Sequence, residues 1–272
     1  MTVFSSSLLA LSLLPVVAYA AYGALLWSMG GRGRDEARQV WLRSAIAALT
    51  VAFALLASVW VGYAVGLYLQ ASNSTAVCLE PLRSAAPDLN LAGYASAVNK
   101  ALSCADGVLK AKFSELKGTY TQVFEVAAAT GLFPLTSAYS MGLFQVSMPF
   151  SGAASSALTA IAVAEAAVAI ARGFVLLMGL GAVLLAAERL EALGALILAA
   201  GMVYPAALAG LADQLSRFSF GWSPLDWGGL VDLTAEAARA AAYTALALSL
   251  ATAGVAAVAY ALSKVPQHIS VE

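Results

Sequence analysis

From Phe4 to Met29 the chain reads FSSSLLALSLLPVVAYAAYGALLWSM, with no charge at any position, and it then turns abruptly into Gly30-Gly31-Arg32-Gly33-Arg34. A hydrocarbon core of about 30 Å needs about 20 mainly apolar residues in a helix, because lipid cannot satisfy exposed backbone groups. Phe4–Met29 is therefore predicted to cross a membrane, with Pro15 as a tolerated kink. Three further runs meet the same test: Ala45–Leu69, Ala192–Leu211 and Ala240–Leu262.

Composition agrees with this reading. The 272 residues are 61% hydrophobic and 11% charged, with a mean hydropathy of +0.84. Soluble domains sit near 45–50% apolar and about 25% charged. Fourteen basic against fifteen acidic residues leave a net charge of −1, so no global basicity points to nucleic acid or an acidic surface. One histidine and two cysteines leave little from which to build a hydrolytic or metal site. There is no P-loop, H-E-x-x-H, C-x-x-C or G-x-S-x-G pattern, so neither catalysis nor a cofactor is expected. No internal repeat of the kind that builds many carriers is evident.

Ser155–Ala187 is apolar but longer, carries Glu165 and Arg172 near its middle, and is expected to be one tilted helix. Leu132–Phe150 is also uncharged, but Pro134, Gly142 and Pro149 interrupt it, so it reads as re-entrant or interfacial. Five spans follow, or six if Leu132–Phe150 crosses. The fold class is all-α: a polytopic helical bundle with a helical extracellular loop domain. Residues 1–69 hold the first two spans, 70–152 the external domain, and 153–272 three further spans and a short tail.

Orientation follows the basic residues near the spans. Arg32, Arg34, Arg38 and Arg43 lie between the first two spans, which puts that loop in the cytoplasm of a plasma-membrane protein and the N-terminus outside. Ala18-Tyr19-Ala20 imitates a signal-peptidase site, but no basic segment precedes it. With five spans, the Glu188–Glu191 turn and Lys264–Glu272 are cytoplasmic and Asp213–Arg239 is external. Two signals agree that Gln70–Gly152 is external. Cys78 and Cys104 share that loop, where an oxidising exterior would let them pair for roughly 3 kcal/mol; free thiols are the alternative. Asn73-Ser74-Thr75 is a glycosylation sequon, unless it is fortuitous.

Within the loop, Leu89–Ser103 and Ala105–Ala128 read as two helices. Leu109, Phe113, Leu116, Tyr120 and Phe124 stack on one face of the second, by spacings of three and four. Lys100, Lys110, Lys112 and Lys117 form a mildly basic patch that would suit phosphate contact with DNA; a solvated helix face is the plainer reading. Glu165 and Arg172 are two helical turns apart, about 10 Å along the axis. They mark either an intramembrane polar site or a helix end standing above the bilayer. Phe218, Phe220, Trp222 and Trp227 read as an interfacial re-entrant loop at headgroup level. Gly181, Gly194 and Gly201 are among the small residues that favour close helix packing and oligomers in lipid.

This arrangement combines an external N-terminus, an arginine loop at Arg32–Arg43, a large outer loop at Gln70–Gly152 and three further spans. It resembles the polytopic membrane subunits of conjugation and type IV secretion machines, the TrbL-type bacterial proteins and the CedA-type proteins of crenarchaeal DNA import. The Ala/Leu/Gly/Val-rich chain, sequon and outer cysteines look more like the archaeal branch. The resemblance implies a non-enzymatic channel or scaffold subunit, beside small pilin-like membrane proteins and a separate ATPase, that helps DNA cross. It implies substrate contact in Gln70–Gly152 without fixing residues. The readings that compete with it are a small-solute or ion transporter using Glu165 and Arg172, and a passive scaffold for surface filaments.

Overall fold

The computed structural model describes residues 3–71, 77–85, 91–132, 137–186, 190–224 and 226–263. Among them every regular element is a helix: α1 Val3–Ser28, α2 Arg32–Ala71, α3 Glu80–Ala85, α4 Leu91–Gly131, α5 Ser137–Ala171, α6 Phe174–Ala186, α7 Glu191–Leu215 and α8 Trp227–Ser263. Four stretches are long and apolar enough to cross a membrane: Gly33–Ser58, Tyr139–Ala171, Glu191–Leu215 and Gly228–Ser263. Leu13–Ser28 and Phe174–Leu185 are shorter apolar helices.

The α1–α2 turn is made by Gly30 and Gly31 at φ 71° and 52°, left-handed values that a side chain would strain. Beyond it the two helices lie in close contact. A methyl group on Gly33 would sit 2.5 Å from the Leu26 carbonyl oxygen, and one on Gly23 would sit 2.7 Å from the Trp41 ring. α6 and α7 form a second antiparallel pair. Gly181 faces Leu198 and Gly194, and Gly201 faces Met178 and Phe174, so close that a Cβ on Gly181 would lie 2.7 Å from Leu198 N. α8 returns along α7, with Gly254 against Val203 and Tyr204 beside Thr252.

The predicted division between α4 and α5 needs four corrections. Leu89–Ser103 and Ala105–Ala128 are not two helices. They merge into the 41-residue α4, because Val98, Ala101, Leu102, Ala105 and Leu109 are all buried and carry one stripe through Cys104 without interruption. On the predicted face Leu109 and Leu116 are fully buried with Phe113 and Tyr120 packed beside them, while Val123 and Ala127 continue the buried stripe towards the far end.

Leu132–Phe150 is not a re-entrant segment from Ser137 onward, and Ser155–Ala187 is not one helix. Leu143, Ser147, Phe150, Ala154, Ala157, Ile161, Ala164, Val168 and Ala171 are all buried. Their spacing alternates four and three without a slip, so one seam runs the whole of α5 and carries it through Gly142 and Pro149. The helix ends instead at Arg172-Gly173, before α6. The boundary at 152/153 thus falls inside a helix. α4 and α5 form an antiparallel hairpin, fastened where Asp106 meets Arg172, Tyr120 meets Ser151 and Ser140 donates to the Ala127 carbonyl.

Candidate functional site: the polar seam between the hairpin and α7

At the C-terminal end of α7 the chain leaves an apolar helix and meets most of the polar contacts between distant elements. Asp213 is 2% exposed. Its carboxylate accepts backbone N–H bonds from Val77 at 3.0 Å, Cys78 at 2.7 Å and Leu79 at 3.1 Å. A buried carboxylate is tolerable only when its lone pairs are used, and here three otherwise unpaired donors use them. Leu79 and Leu82, both fully buried, hold the same segment from its other side.

Cys78 is disulfide-bonded to Cys104 of α4, with the Cα atoms 5.3 Å apart. The expected pairing is therefore formed. Through it Asp213, Cys78 and Cys104 join α7 to α4. Beside this join lies a groove of about 630 Å³, lined in part by Val77, Glu80, Ser84, Ser96 and Lys100.

Further along α4 a second fastening holds the 216–224 loop. Lys112 donates to Glu115 Oε2 at 2.8 Å and to the Phe218 carbonyl at 2.6 Å. Glu115 Oε1 accepts the Phe220 N–H at 2.7 Å, and the Thr119 hydroxyl donates to the Phe220 carbonyl at 2.5 Å. The Phe220 ring is fully buried, with Lys112 Nζ 6.0 Å from its centroid. Burial raises the Glu115 pKa, but the Lys112 hydrogen bond and the Phe220 N–H outweigh it and leave the carboxyl below its ordinary value. Tyr139 also donates to the Pro224 carbonyl. The interfacial reading of this loop is corrected accordingly. Phe220 is a core residue and the loop backbone is spent on α4; Trp222 is half-buried and bonds the Asp226 carbonyl. The Trp227 side chain lies outside the described residues.

The basic patch is divided in the same way. Lys110 pairs with Asp106 at 2.9 Å, and Lys112 is committed as above. Only Lys100 and Lys117 present exposed side chains without a described ion pair. Arg172 does not face Glu165. Its guanidinium reaches Asp106 of α4 at 2.9 Å, because the helix break at Arg172-Gly173 frees it to turn across the hairpin. Asp106 is held below the ordinary carboxylate value by the Lys110 hydrogen bond, against a counteracting burial effect, with the Arg172 charge adding to the lowering. Glu165 is half-buried, and its Oε1 has no hydrogen-bond partner among the described residues. The two do not form a shared polar site.

At the opposite end of the helical pairs, Arg34 and Arg38 are exposed, Arg43 is half-buried and engaged, and Arg32 opens α2. Asn73 and the 264–272 tail lie outside the described residues. Among those residues no group of three or more His, Cys, Asp or Glu could hold a metal. Asp213 and the Glu115–Phe220 latch were missed by sequence reasoning; their only signals were an acid at the end of an apolar run, for Asp213, and a Glu three residues after Lys112, for the latch.

Together the all-helical architecture and four span-length apolar helices define a helical membrane protein. No family model, curated protein or solved structure matches the chain.

Proposed function

We propose that the chain is a multi-pass plasma-membrane subunit whose α4–α5 hairpin and first half of α8 stand outside the bilayer. α1, α2, α7 and the second half of α8, with α6 crossing only together with the end of α5 that leads into it because its own 13 residues reach about 20 Å, would make five crossings, with the N-terminus external. The observation that carries this is the distribution of charge. α4 bears Asp106, Lys110, Lys112, Glu115, Lys117 and Glu125, and the first half of α8 bears Asp232, Glu236 and Arg239, a load that hydrocarbon does not accept. The disulfide lies at this charged end, which suits an oxidising exterior. The arginine loop lies at the other, which suits the cytoplasm.

In this reading the protein is a non-enzymatic channel or scaffold subunit of a DNA-translocation machine, working as a homo-oligomer with small pilin-like proteins and a separate ATPase. The DNA assignment rests on the topological resemblance. The scaffold role draws separate support from Lys110 and Lys112, whose engagement leaves a thin cationic surface for a polyanion. The transporter reading loses one of its two groups to the Asp106–Arg172 pair. The test is gentle extraction from native membranes with mass spectrometry of what co-purifies, combined with a photo-cross-linker at Lys117 during DNA uptake. An ATPase with small membrane proteins, and DNA captured at Lys117, is the expected result. A homo-oligomer without a motor would overturn the machine assignment. Partners without captured DNA would leave a scaffold and overturn the conduit.

A further inference from the structure

At the arginine end of the molecule, aromatic and basic side chains are built into one cluster. Trp27 of α1 and Trp41 of α2 stack with ring centroids 5.4 Å apart and planes at 24°. Trp41 Nε1 donates to the Ala20 carbonyl at 3.1 Å, and its ring lies across Gly23, where any side chain would collide with it. The Arg34 guanidinium carbon sits 5.5 Å from the Trp27 centroid, within cation–π range. Both indoles stay partly open, 37% and 40% exposed. The apolar side chains of Leu25, Met29 and Leu42 are exposed around them.

Arg34 and Arg38 are one turn apart on α2, so they share a face. Both are exposed, and neither has a described ion pair. Asp35 and Glu36 are also exposed; Glu36 lies on the opposite side of the helix, whereas Asp35, three residues before Arg38, borders that face without a described ion pair to it. A stacked pair of indoles belongs at the headgroup level of a bilayer. Two guanidiniums without a described ion pair, directly beyond it, meet the plane in which lipid phosphates lie, and their forked donors match phosphate oxygens.

We propose that the Trp27–Trp41–Arg34–Arg38 cluster is a binding site for the phosphodiester headgroup of an anionic lipid. Arg34, steadied on the Trp27 face, and Arg38 would grip the phosphate from two sides, while the indoles and Leu25, Met29 and Leu42 would lie along the acyl chains. Charge complementarity selects this occupant, and the exposed apolar rim favours a lipid over a free phosphate ion. The inference rests on the reading of α1 and α2 as spans.

The test uses the full chain in nanodiscs of phosphatidylcholine alone or mixed with phosphatidylglycerol, with native mass spectrometry of the lipids retained on release. Wild type is expected to retain phosphatidylglycerol preferentially. R34Q/R38Q should reduce that preference on the order of tenfold, since each basic group near an anionic surface contributes comparably. R239Q, which removes one exposed arginine at the other end, should leave it unchanged. Elution and disulfide status identical to wild type show that the double variant is folded; R34K/R38K should recover only part of the preference. Equal retention in R34Q/R38Q and wild type would overturn the site. So would inorganic phosphate in detergent occupying it as well as the lipid does. A chain that fails to enter nanodiscs at all would overturn the membrane reading itself, which separates the two failures.

Discussion

The α6–α7 pair and the α4–α7 seam solve the same problem of holding helices together by opposite means. α6 and α7 approach with backbone against backbone at Gly181 and Gly194, and with the Met178 side chain seated on Gly201. α4 is held to α7 and its following loop by a disulfide, a buried carboxylate and a lysine–glutamate latch. In lipid the hydrophobic effect does not draw helices together, so small faces and dispersion must do so. Where water competes, a hydrogen bond gains little on average but is costly to leave unmade once buried. The difference fits a molecule whose one end is solvated by lipid and whose other end is solvated by water.

Breaking the outer seam should have the largest effect. Asp213→Ala would orphan the N–H groups of Val77, Cys78 and Leu79, at about 1–3 kcal/mol for each buried donor. Loss of the monodisperse peak on size-exclusion chromatography, and faster reduction of Cys78–Cys104 by dithiothreitol, are expected. Asp213→Asn, which keeps one acceptor oxygen, should lie between Ala and wild type. A disulfide as resistant in the Ala variant as in wild type would show that the carboxylate does not hold that segment.

The membrane pair comes next. Gly194→Val places a branched side chain where a Cβ already meets the Gly181 carbonyl oxygen at 2.6 Å, and overpacking of this kind costs about 1–3 kcal/mol. Thermal unfolding in detergent should shift down, while the disulfide stays intact because the seam is not involved. Removing the disulfide by C78S/C104S should cost roughly 2–4 kcal/mol on a chain-entropy argument. The deficit should appear in the same thermal assay and vanish when both proteins are measured under reducing conditions.

The smallest effect concerns pH. Glu115 is depressed in the folded state, so its contribution is present above the ordinary glutamate value and is lost as pH falls through the lower folded value. Amide exchange at 216–224 should therefore stay slow from neutral pH through the ordinary carboxylate range and quicken only in stronger acid, after correction for intrinsic rates. In Glu115→Gln the loop should exchange faster at neutral pH and lose this dependence. An unchanged profile in the variant would assign the latch to Thr119 and the Phe220 ring instead.

Much of the molecule was legible in its residues, and the rest was hidden for definable reasons. α7 and α8 contain the runs read as spans because length and apolarity act locally. The cysteine pairing was legible because only two cysteines exist. The α5 seam was not: nearly every residue around it is apolar or small, so the four-three spacing has no polar contrast to reveal it. Arg172 looked like Glu165's neighbour along the helix, and only the break at Gly173 and the position of Asp106, 66 residues away, show where it points.

The sequence by itself determined that this chain is helical and suited to a membrane, through its composition, the length of its uncharged runs and the placing of its arginines. Each of these acts within a few turns of helix. Only the tertiary structure decided that α4 and α5 are single long helices paired with one another. It also decided that Lys112 is spent on a loop backbone and that Asp213 closes the segment carrying Cys78. The last two outcomes depend on donors and acceptors more than a hundred residues apart, and no local pattern encodes which of them will meet.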